Sequence, residues 1–386
     1  MNRSSLPHVR LCAVYSAVPE KEIAIEDELE YYDNSLKKAD RARAMIGMDK
    51  RRIAWPDLTA ADLCKAAAER LLCDAQANRS EIDALIFVSQ TPDYSFPATA
   101  CILQNELGLP HSCAAFDVNQ GCSGYVYGLW MAAGLLSSGA CSSVLLLAGD
   151  AHYRQRDPRN RIIAPIFGDG GSATLLRRVD NAPAAHFSVG TDGAGYKHII
   201  MPGGGSRIPY SRLPEENAVM FEDIAGPLGE PWRLNEMYMN GPAVFEFTMN
   251  VVPAHIKHLL ERASTPLESI DLFLPHQANK QIVKALAAKV GIPAEKTVNT
   301  VFGRYGNLSS ASIPAAFCEA YGDRGTSGRQ KLLLSGFGVG LSWASCIIDV
   351  EDAVCAPVLD VRAPDQAPDR RERIADWMTV LAAKEE

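Results

Sequence analysis

The sequence predicts an α/β protein made of two similar halves, in which strands alternate with helices. The strand candidates are continuous apolar runs, which is typical of sheets that helices cover on both faces. Ser80–Gln90 resembles Glu268–Gln277 at an offset of 187 to 188 residues, and Val144–Gly149 resembles Leu332–Gly336 at nearly the same offset. This internal similarity indicates that a half-length unit of strands and helices is duplicated.

In the first half, a strand over Cys113–Val118 leads through small residues into an apolar helix from Tyr125 to about residue 137. Cys122 stands at this junction. A helix N-terminus presents unpaired N–H groups and the positive end of the helix dipole, which favour a thiolate. The arrangement predicts a strand-turn-helix nucleophile elbow with sulfur in place of oxygen, although a lone cysteine is more often a small packing residue.

The second half contains two segments that could supply partners for this thiol. In Leu272–Asn279 a strand ends at His276 and a helix follows, and in Phe302–Pro314 a glycine-rich turn holds Asn307 before another helix. Taken singly, these are a packing histidine and a turn-forming asparagine. Together with Cys122 they form a Cys/His/Asn constellation, because each residue lies where a strand or turn opens a helix.

Composition favours a soluble cytoplasmic enzyme. The 386 residues are 47% hydrophobic and 22% charged, with no apolar run near 18 residues and no secretory segment at the N-terminus. The ten cysteines form no CxxC pair, which favours reduced thiols. The net charge of −8 argues against nucleic acid as a partner. His255 and His258 form an HxxH pair without a third ligand, so no metal site is predicted.

The motifs together resemble those of β-ketoacyl-acyl-carrier-protein synthase III, a family of the thiolase superfamily. The matching segments, which lie in the family's order between residues 8 and 350, are Cys122-Ser-Gly, Pro275-His-Gln-Ala-Asn279, Gly306-Asn-Leu-Ser-Ser-Ala-Ser-Ile-Pro314, Phe167-Gly-Asp-Gly170 and Ser335-Gly-Phe-Gly-Val-Gly-Leu-Ser-Trp343. The resemblance implies the thiolase fold, with five layers (α-β-α-β-α) from two duplicated halves, an active site between them, and a homodimer.

On this basis residues 1–182 form the N-terminal half with the nucleophilic cysteine, and residues 183–350 form the C-terminal half with the histidine and asparagine.

Two segments are additions to this pattern. The segment 202–238 is longer than simple family members need and could reshape the pocket mouth. Residues 351–386 are expected to form a Pro-rich linker and a C-terminal helix that folds back on its own subunit or docks a partner. The apolar residues at helical spacing in that helix are Ile374, Trp377, Met378 and Leu381.

The resemblance also implies a role for each site residue. The Cys122 thiolate attacks an acyl thioester and becomes acylated, while the main-chain N–H groups of Cys122 and Val339 stabilise the oxyanion. His276 and Asn307 donate to the enolate oxygen that forms when a malonyl thioester loses carbon dioxide, and Phe337 keeps water out. The implied reaction is a decarboxylating Claisen condensation that gives a β-ketoacyl thioester in fatty-acid-like or secondary-metabolite biosynthesis, with no cofactor besides the acyl thioester substrates.

Positions that would bind the primer depart from the family pattern. Family members clamp the adenine of coenzyme A between an aromatic residue and arginines; here the first clamp positions hold Arg41 and Met45, while Arg161 is retained on the other side. Whether the primer arrives on coenzyme A or on an acyl carrier protein therefore stays open. Phe96 matches the position that caps the acyl channel across the dimer, and its bulk favours a short primer.

The helix after His276 carries Lys280 and Lys284 on one face, with Lys289 near its end. The resemblance places this helix beside the entrance, where family members receive acidic carrier proteins on basic residues. A typical docking arginine is Gln281 here. We therefore expect carrier-protein docking at the three lysines, or else an ordinary solvated helix face.

Two other functions compete with decarboxylating condensation. An acyltransferase of the same fold would pass the acyl group from Cys122 to an oxygen or nitrogen nucleophile without loss of carbon dioxide. A non-catalytic subunit of a heterodimer would share the fold but would not be acylated. Malonyl-dependent release of carbon dioxide separates the first from the second, and covalent acylation separates both from the third.

Overall fold

A computed structural model of the chain describes residues 2–226, 229–322, 324–362 and 370–382. Its strands are β1 (Asn2–Leu6), β2 (Val9–Pro19), β3 (Glu22–Ala24), β4 (Lys50–Arg52), β5 (Ala84–Val88), β6 (Ala114–Val118), β7 (Ser143–Ala148), β8 (Gly171–Arg178), β9 (Ala185–Thr191), β10 (Ile199–Ile200), β11 (Ile224–Ala225), β12 (Pro231–Trp232), β13 (Tyr238–Met239), β14 (Leu272–Pro275), β15 (Arg329–Gly338), β16 (Ser342–Glu351), β17 (Val354–Cys355) and β18 (Leu359–Val361). Its α-helices are α1 (Leu36–Ile46), α2 (Ala60–Asp74), α3 (Thr99–Glu106), α4 (Gly124–Ser138), α5 (Gly241–Arg262), α6 (Lys280–Val290), α7 (Val301–Tyr305), α8 (Ser312–Tyr321) and α9 (Arg370–Ala382). Short 3-10 helices cover Ile25–Tyr32, Arg79–Glu81, His152–Gln155, Gly193–His198, Pro214–Met220, Leu267–Ser269, Ala294–Lys296 and Ser309–Ala311.

The two large sheets repeat one topology, which confirms the predicted duplication. In the first sheet the order is β2-β8-β7-β5-β6, and in the second it is β9-β16-β15-β14. Both begin with two antiparallel pairings and continue with a parallel one, β7 to β5 in the first sheet and β15 to β14 in the second. Where β6 extends the first sheet, a single parallel bridge from Phe273 to Thr297 takes its place in the second.

Three apolar cores correspond to three layers of helices, so the predicted five-layered α-β-α-β-α architecture is confirmed. Helices α4 and α8 lie between the sheets and pack against strands of both. Helix α2, with α3, covers the outer face of the first sheet, and α5 with α6 covers the outer face of the second. Because helices cover both faces, β5 and β7 are buried along their whole length, as continuous apolar runs predict.

The termini cross between the two halves, which the proposed boundaries at residues 182 and 350 do not anticipate. Strand β1 pairs antiparallel with β9 and so belongs to the second sheet. Strands β17 and β18 pair parallel with β2 in the first sheet, so part of the expected linker is structural. Pro357 lies between these two strands, whereas Pro364 and Pro368 lie outside the described residues.

Helix α9 forms at the predicted place but leaves its apolar side chains exposed. It contacts its own chain through Trp377, whose ring meets that of Tyr94 edge-on at 6.0 Å, and through Arg373, which donates to the Asp57 carbonyl at 2.7 Å. Met378 and Leu381 remain 66% and 81% exposed. None of the helices in the described ranges is long and apolar enough to cross a membrane.

Candidate active site

A cavity of about 550 Å³ opens between the two halves and gathers the predicted site residues. The carboxyl ends of β5, β6 and β7 meet it from one side, and those of β14 and β15 meet it from the other, which is where open α/β sheets bind ligands. The sequence-predicted residues that line it are Cys122, Arg161, His276, Asn307, Phe337 and Val339.

Cys122 follows β6 and precedes α4, as the elbow motif predicts. Strand β15 of the other half runs directly against this turn: a Cβ on Gly338 would lie 2.9 Å from the Cys122 sulfur, so only glycine fits there. The Ser123 and Ser342 hydroxyls are hydrogen-bonded at 2.7 Å, and Ser342 also donates to the Val339 carbonyl at 2.6 Å. These contacts fix the nucleophile turn against the turn that follows β15.

The pKa of the Cys122 thiol reflects burial and local donors, which act in opposite directions. Burial raises the pKa of Cys122 to about 11, and the Asp150 charge adds to the increase. The Ser309 hydroxyl and the main-chain N–H groups of Val339 and Cys122 act in the opposite direction. The main-chain groups at the helix N-terminus thus act in favour of the thiolate, as the sequence predicts, but burial raises the pKa by more than they lower it.

The two predicted oxyanion donors converge on the sulfur. No side chain caps α4, so the N–H groups at its start have no side-chain acceptor. The main-chain N–H groups of Cys122 and Val339 both interact with the thiol. Two N–H groups from different halves thus surround one atom, which is the arrangement that stabilises negative charge near that atom.

His276 is buried and neutral at the end of β14. Its exposed fraction is 1%, and burial lowers the pKa of its imidazole to about 3, while a main-chain interaction with Ser309 acts in the opposite direction. The Phe337 ring packs edge-on against it at 5.5 Å. Within the described residues its Nδ1 is buried and has no hydrogen-bond partner.

Asn307 lies in a turn that interlocks with the Phe167-Gly-Asp-Gly170 segment. Its N–H donates to the Ile166 carbonyl at 2.9 Å, and its carbonyl accepts from Gly168 at 3.1 Å. The side-chain Oδ1 accepts the Ser309 N–H at 2.9 Å. Because the amide oxygen is engaged inside the turn, Nδ2 is the group that can donate to a ligand in the cavity.

Sequence reasoning missed Asp150, a fully buried carboxylate that joins the two halves of the site. It accepts from the Gln90 N–H at 2.7 Å on one side and from the Ser310 hydroxyl at 2.7 Å on the other. It therefore ties the loop after β5 to the turn that carries Asn307. The signal available in the sequence was an acidic residue directly after the apolar run Val144–Gly149.

The mouth of the cavity holds the positions expected to contact the primer's carrier. Arg161 lies there with its guanidinium 3.9 Å from Asp33, and its side chain is 47% exposed. Met45 lies opposite on α1 and is 72% exposed, while Arg41 is exposed and does not line the cavity. The structure thus brings Arg161 and Met45, but not Arg41, to the mouth.

The remaining predicted contacts lie outside the cavity. Phe96 is 85% exposed on the loop after β5. Lys280 is half-buried and lies 3.4 Å from the Asp49 carboxylate, and Lys289 donates to the Met249 carbonyl at 3.0 Å. Lys284 is exposed on the same helix, α6, whose first residues border the cavity.

Metal ligation finds no support in the described part of the chain. There, no group of three or more His, Cys, Asp or Glu side chains is placed to hold an ion. His255 of the HxxH pair is a buried packing residue: its Nε2 lies 3.1 Å from the Ser188 carbonyl, and its Nδ1 accepts from the Trp343 indole at 3.2 Å.

Comparisons with known proteins agree with this geometry. The family described as 3-oxoacyl-[acyl-carrier-protein] synthase III matches residues 116–193, and its C-terminal domain matches residues 260–350. A putative 3-oxoacyl-[acyl-carrier-protein] synthase 3 from Campylobacter jejuni is 34% identical over 91% of this chain and 96% of its own length.

Solved structures give the same result. The chain superposes on a 3-oxoacyl-(acyl-carrier-protein) synthase from Burkholderia xenovorans with a TM-score of 0.85 at 38% identity, covering 93% of this chain and 99% of the other. The priming β-ketosynthase of a polyketide biosynthetic pathway gives a TM-score of 0.76 at 26% identity, covering 92% and 99%. This chain is therefore an acyl-transferring enzyme that belongs to the 3-oxoacyl-[acyl-carrier-protein] synthase III family.

Proposed function

We propose that the chain condenses an acyl primer, held as a thioester on Cys122, with a malonyl thioester, and that it releases carbon dioxide and a β-ketoacyl thioester. The observation that carries this assignment is the convergence in one cavity of a thiol, two main-chain N–H groups and two donors from the second half. An acyl transfer to an oxygen or nitrogen nucleophile forms no enolate, so the buried side chains of His276 and Asn307 would have no enolate oxygen to stabilise.

In the first half-reaction, sulfur of Cys122 attacks the primer's carbonyl carbon. The N–H groups of Cys122 and Val339 stabilise the oxyanion of the tetrahedral intermediate. The bond to the carrier's sulfur then breaks, and the carrier leaves as a thiol that carries the proton lost by Cys122. Phe337, which is 2% exposed and lines the cavity, shields the new thioester from water.

In the second half-reaction, the malonyl carboxylate leaves as carbon dioxide and its bonding electrons form an enolate. The enolate oxygen receives hydrogen bonds from the neutral His276 ring and from Nδ2 of Asn307. The enolate carbon attacks the acyl carbonyl, and a carbon–carbon bond forms. The bond to Cys122 then breaks with its electrons left on the sulfur, and the thiolate takes up a proton from solvent to restore the thiol. A neutral imidazole suits this role, because it donates one hydrogen bond without the desolvation cost of a buried cation.

A homodimer is part of this proposal. Strand β6, which ends at the nucleophile turn, forms one edge of the first sheet, and its residues are half-buried or exposed. An edge strand presents unpaired main-chain groups that can pair with another chain. Phe96 projects from the loop after β5, next to β6 in the sheet, which supports contact with a second copy there.

The proposed function predicts two separable events. Incubation with a panel of short acyl thioesters should add one acyl group to the protein, which intact-protein mass spectrometry would detect. Subsequent addition of a carboxyl-labelled malonyl thioester should release labelled carbon dioxide in proportion to the acyl-enzyme consumed. Acylation followed by transfer to water, an alcohol or an amine, without malonyl-dependent carbon dioxide, would favour the acyltransferase instead.

We further propose that α6 receives an acidic carrier protein. Reversing charge in Lys280→Glu/Lys284→Glu should raise KM for a carrier-bound malonyl substrate several-fold, because the half-buried Lys280 and the exposed Lys284 beside the entrance attract an acidic partner. The difference should shrink as ionic strength rises above about 0.15 M, where the screening length is about 8 Å. Steady-state kinetics across a salt series would measure it.

A control is Lys65→Glu, which reverses one lysine charge on α2, on the outer face of the first sheet, where Lys65 pairs with Glu106. This variant should leave KM unchanged. A small malonyl thioester of N-acetylcysteamine should react almost normally with the Lys280/Lys284 variant. An equal loss with small and carrier-bound substrates would instead indicate that the lysines, of which Lys280 pairs with Asp49, support the fold.

A further inference from the structure

Two polar side chains interrupt the apolar wall of the cavity beside the nucleophile. Strands β7, β5 and β6 are neighbours in the first sheet, and their carboxyl ends lead to His152, Gln90 and Cys122 respectively. All three residues line the same cavity. Because parallel strands end at one edge, this topology places an imidazole and a carboxamide next to the thiol that holds the acyl group.

The Gln90 carboxamide is packed directly against the nucleophile turn. A Cβ at Gly121 would overlap its amide oxygen, so the glycine before Cys122 makes room for this side chain. The Gln90 main chain is held by Asp150, and its Nε2 makes only a long contact of 3.4 Å with Asn119. The amide therefore retains a donor and an acceptor for a bound molecule.

His152 is held by its neighbours through its ring and through one of its two ring nitrogens. It is 3% exposed, and its ring packs edge-on against that of Phe167 at 5.4 Å. Its Nδ1 lies 2.8 Å from Oε1 of Gln155, an acceptor, so Nδ1 is the donor of this contact. In a ring with one hydrogen, Nε2 is then the acceptor, and the hydrogen bond found for this ring among the described residues is the one at Nδ1.

We propose that Gln90 and His152 form a specificity subsite for a primer whose acyl chain carries a hydroxyl group near the thioester. A hydroxyl both donates and accepts, so it can give its hydrogen to Nε2 of His152 and accept one from the Gln90 amide. A plain alkyl chain would leave the half-buried Gln90 amide and the buried His152 ring without partners when it displaced water, which is costly. This inference rests on the proposed function, since it concerns the acyl group on Cys122.

Other polar substituents fit less well. A ketone only accepts, so it would satisfy Gln90 and leave the His152 acceptor unpaired. A carboxylate would need a cation, but the lysine and arginine that line the cavity, Lys38 and Arg161, are about half exposed at its mouth and are both near the Asp33 carboxylate. The subsite chemistry therefore points to a hydroxyacyl group.

The test compares N-acetylcysteamine thioesters that differ by one oxygen: butyryl, 2-hydroxybutyryl and 3-hydroxybutyryl. Acylation of Cys122 would be followed by intact-protein mass spectrometry. In the parent protein one hydroxybutyryl thioester should acylate about 10-fold faster than butyryl or more, because sites built to pair a hydroxyl discriminate against analogues that lack it. Equal or faster acylation by butyryl in the parent protein would overturn the proposal, whatever any variant does.

Variants assign the preference to the two side chains. Gln90→Leu and His152→Leu should each lower the hydroxybutyryl-to-butyryl rate ratio towards one, and a circular dichroism spectrum that matches that of the parent protein would show that the variant is folded. Thr248→Val is the matched control: this residue lines another part of the cavity, and its hydroxyl already donates to the Val244 carbonyl at 2.8 Å, so the ratio should persist.

The failures are distinguishable. A ratio that persists in both leucine variants would overturn the assignment to Gln90 and His152 and leave the proposed function intact. No acylation of the parent protein by any of the three thioesters, or by longer and shorter acyl thioesters, would overturn the proposed function together with this inference.

Discussion

Cys122→Ser should abolish the acyl-enzyme, with the acylation rate lowered by about 10³-fold or more. An alcohol is much less acidic and less nucleophilic than a thiol, and the site has no strong base that would compensate. The serine would still receive the N–H groups of residues 122 and 339, so the fold and the pocket should persist. Intact-protein mass spectrometry after incubation with an acyl thioester would measure the loss.

The matched controls are Cys73→Ser and Cys101→Ser, which remove exposed thiols elsewhere in the first half. Both variants should acylate at the parent rate, because neither side chain lines the cavity. Acylation of Cys122→Ser at the parent rate, on any residue, would remove Cys122 as the nucleophile. Loss in the control variants as well would point to reaction at several surface thiols.

The ends of strands were the predictable part of the site. Cys122, His276 and Asn307 each stand in a short motif that is recognisable in the sequence. Each follows a strand or a turn, which the sequence indicates by an apolar run or by glycines. Their convergence follows from the duplication, since the internal similarity places β5 and β14 at equivalent positions in two sheets. The repeat therefore predicted the duplication, while the resemblance carried by the motifs implied the five layers and one site for Cys122, His276 and Asn307.

The thiol pKa could not be predicted from the elbow motif, because its main cause is distant in sequence. The helix N-terminus next to Cys122 is visible locally, but Gly338, which packs against the sulfur, and Asp150, whose charge raises the pKa, are distant in sequence. Desolvation depends on which segments cover a group in three dimensions. A local dipole gives only one of the contributions to the pKa.

The terminal strands were missed for a different reason. Strands β17 and β18 contain two and three residues, too few to show a hydrophobic period. They also lie in a segment whose prolines are typical of a linker. They are stabilised by pairing with β2, which is a tertiary contact across more than 300 residues. The position of Gln90 in the cavity could not be predicted for the same kind of reason. The sequence shows this residue only as part of the repeat, whereas its position depends on packing against Gly121.

His276→Ala and Asn307→Ala should separate the two half-reactions. Each variant should still acylate Cys122 appreciably, because the sulfur and its two N–H donors are unchanged. Decarboxylative condensation should fall by about 10²-fold or more, which is the cost of removing one oxyanion donor. Acylation would be followed by mass spectrometry, and carbon dioxide release would be followed with a carboxyl-labelled malonyl thioester on enzyme that has already been acylated.

His255→Ala is the matched histidine control, since that ring is equally buried in the second half but packs against Trp343 outside the cavity. It should lose stability and keep the ratio of condensation to acylation, because it touches no reacting group. In His276→Ala and Asn307→Ala that ratio should fall, and the fall should be similar in both, since each donor serves the same enolate oxygen. Normal condensation in both variants would show that the decarboxylation role is wrong, and the acyltransferase reaction would then account better for the acylated Cys122.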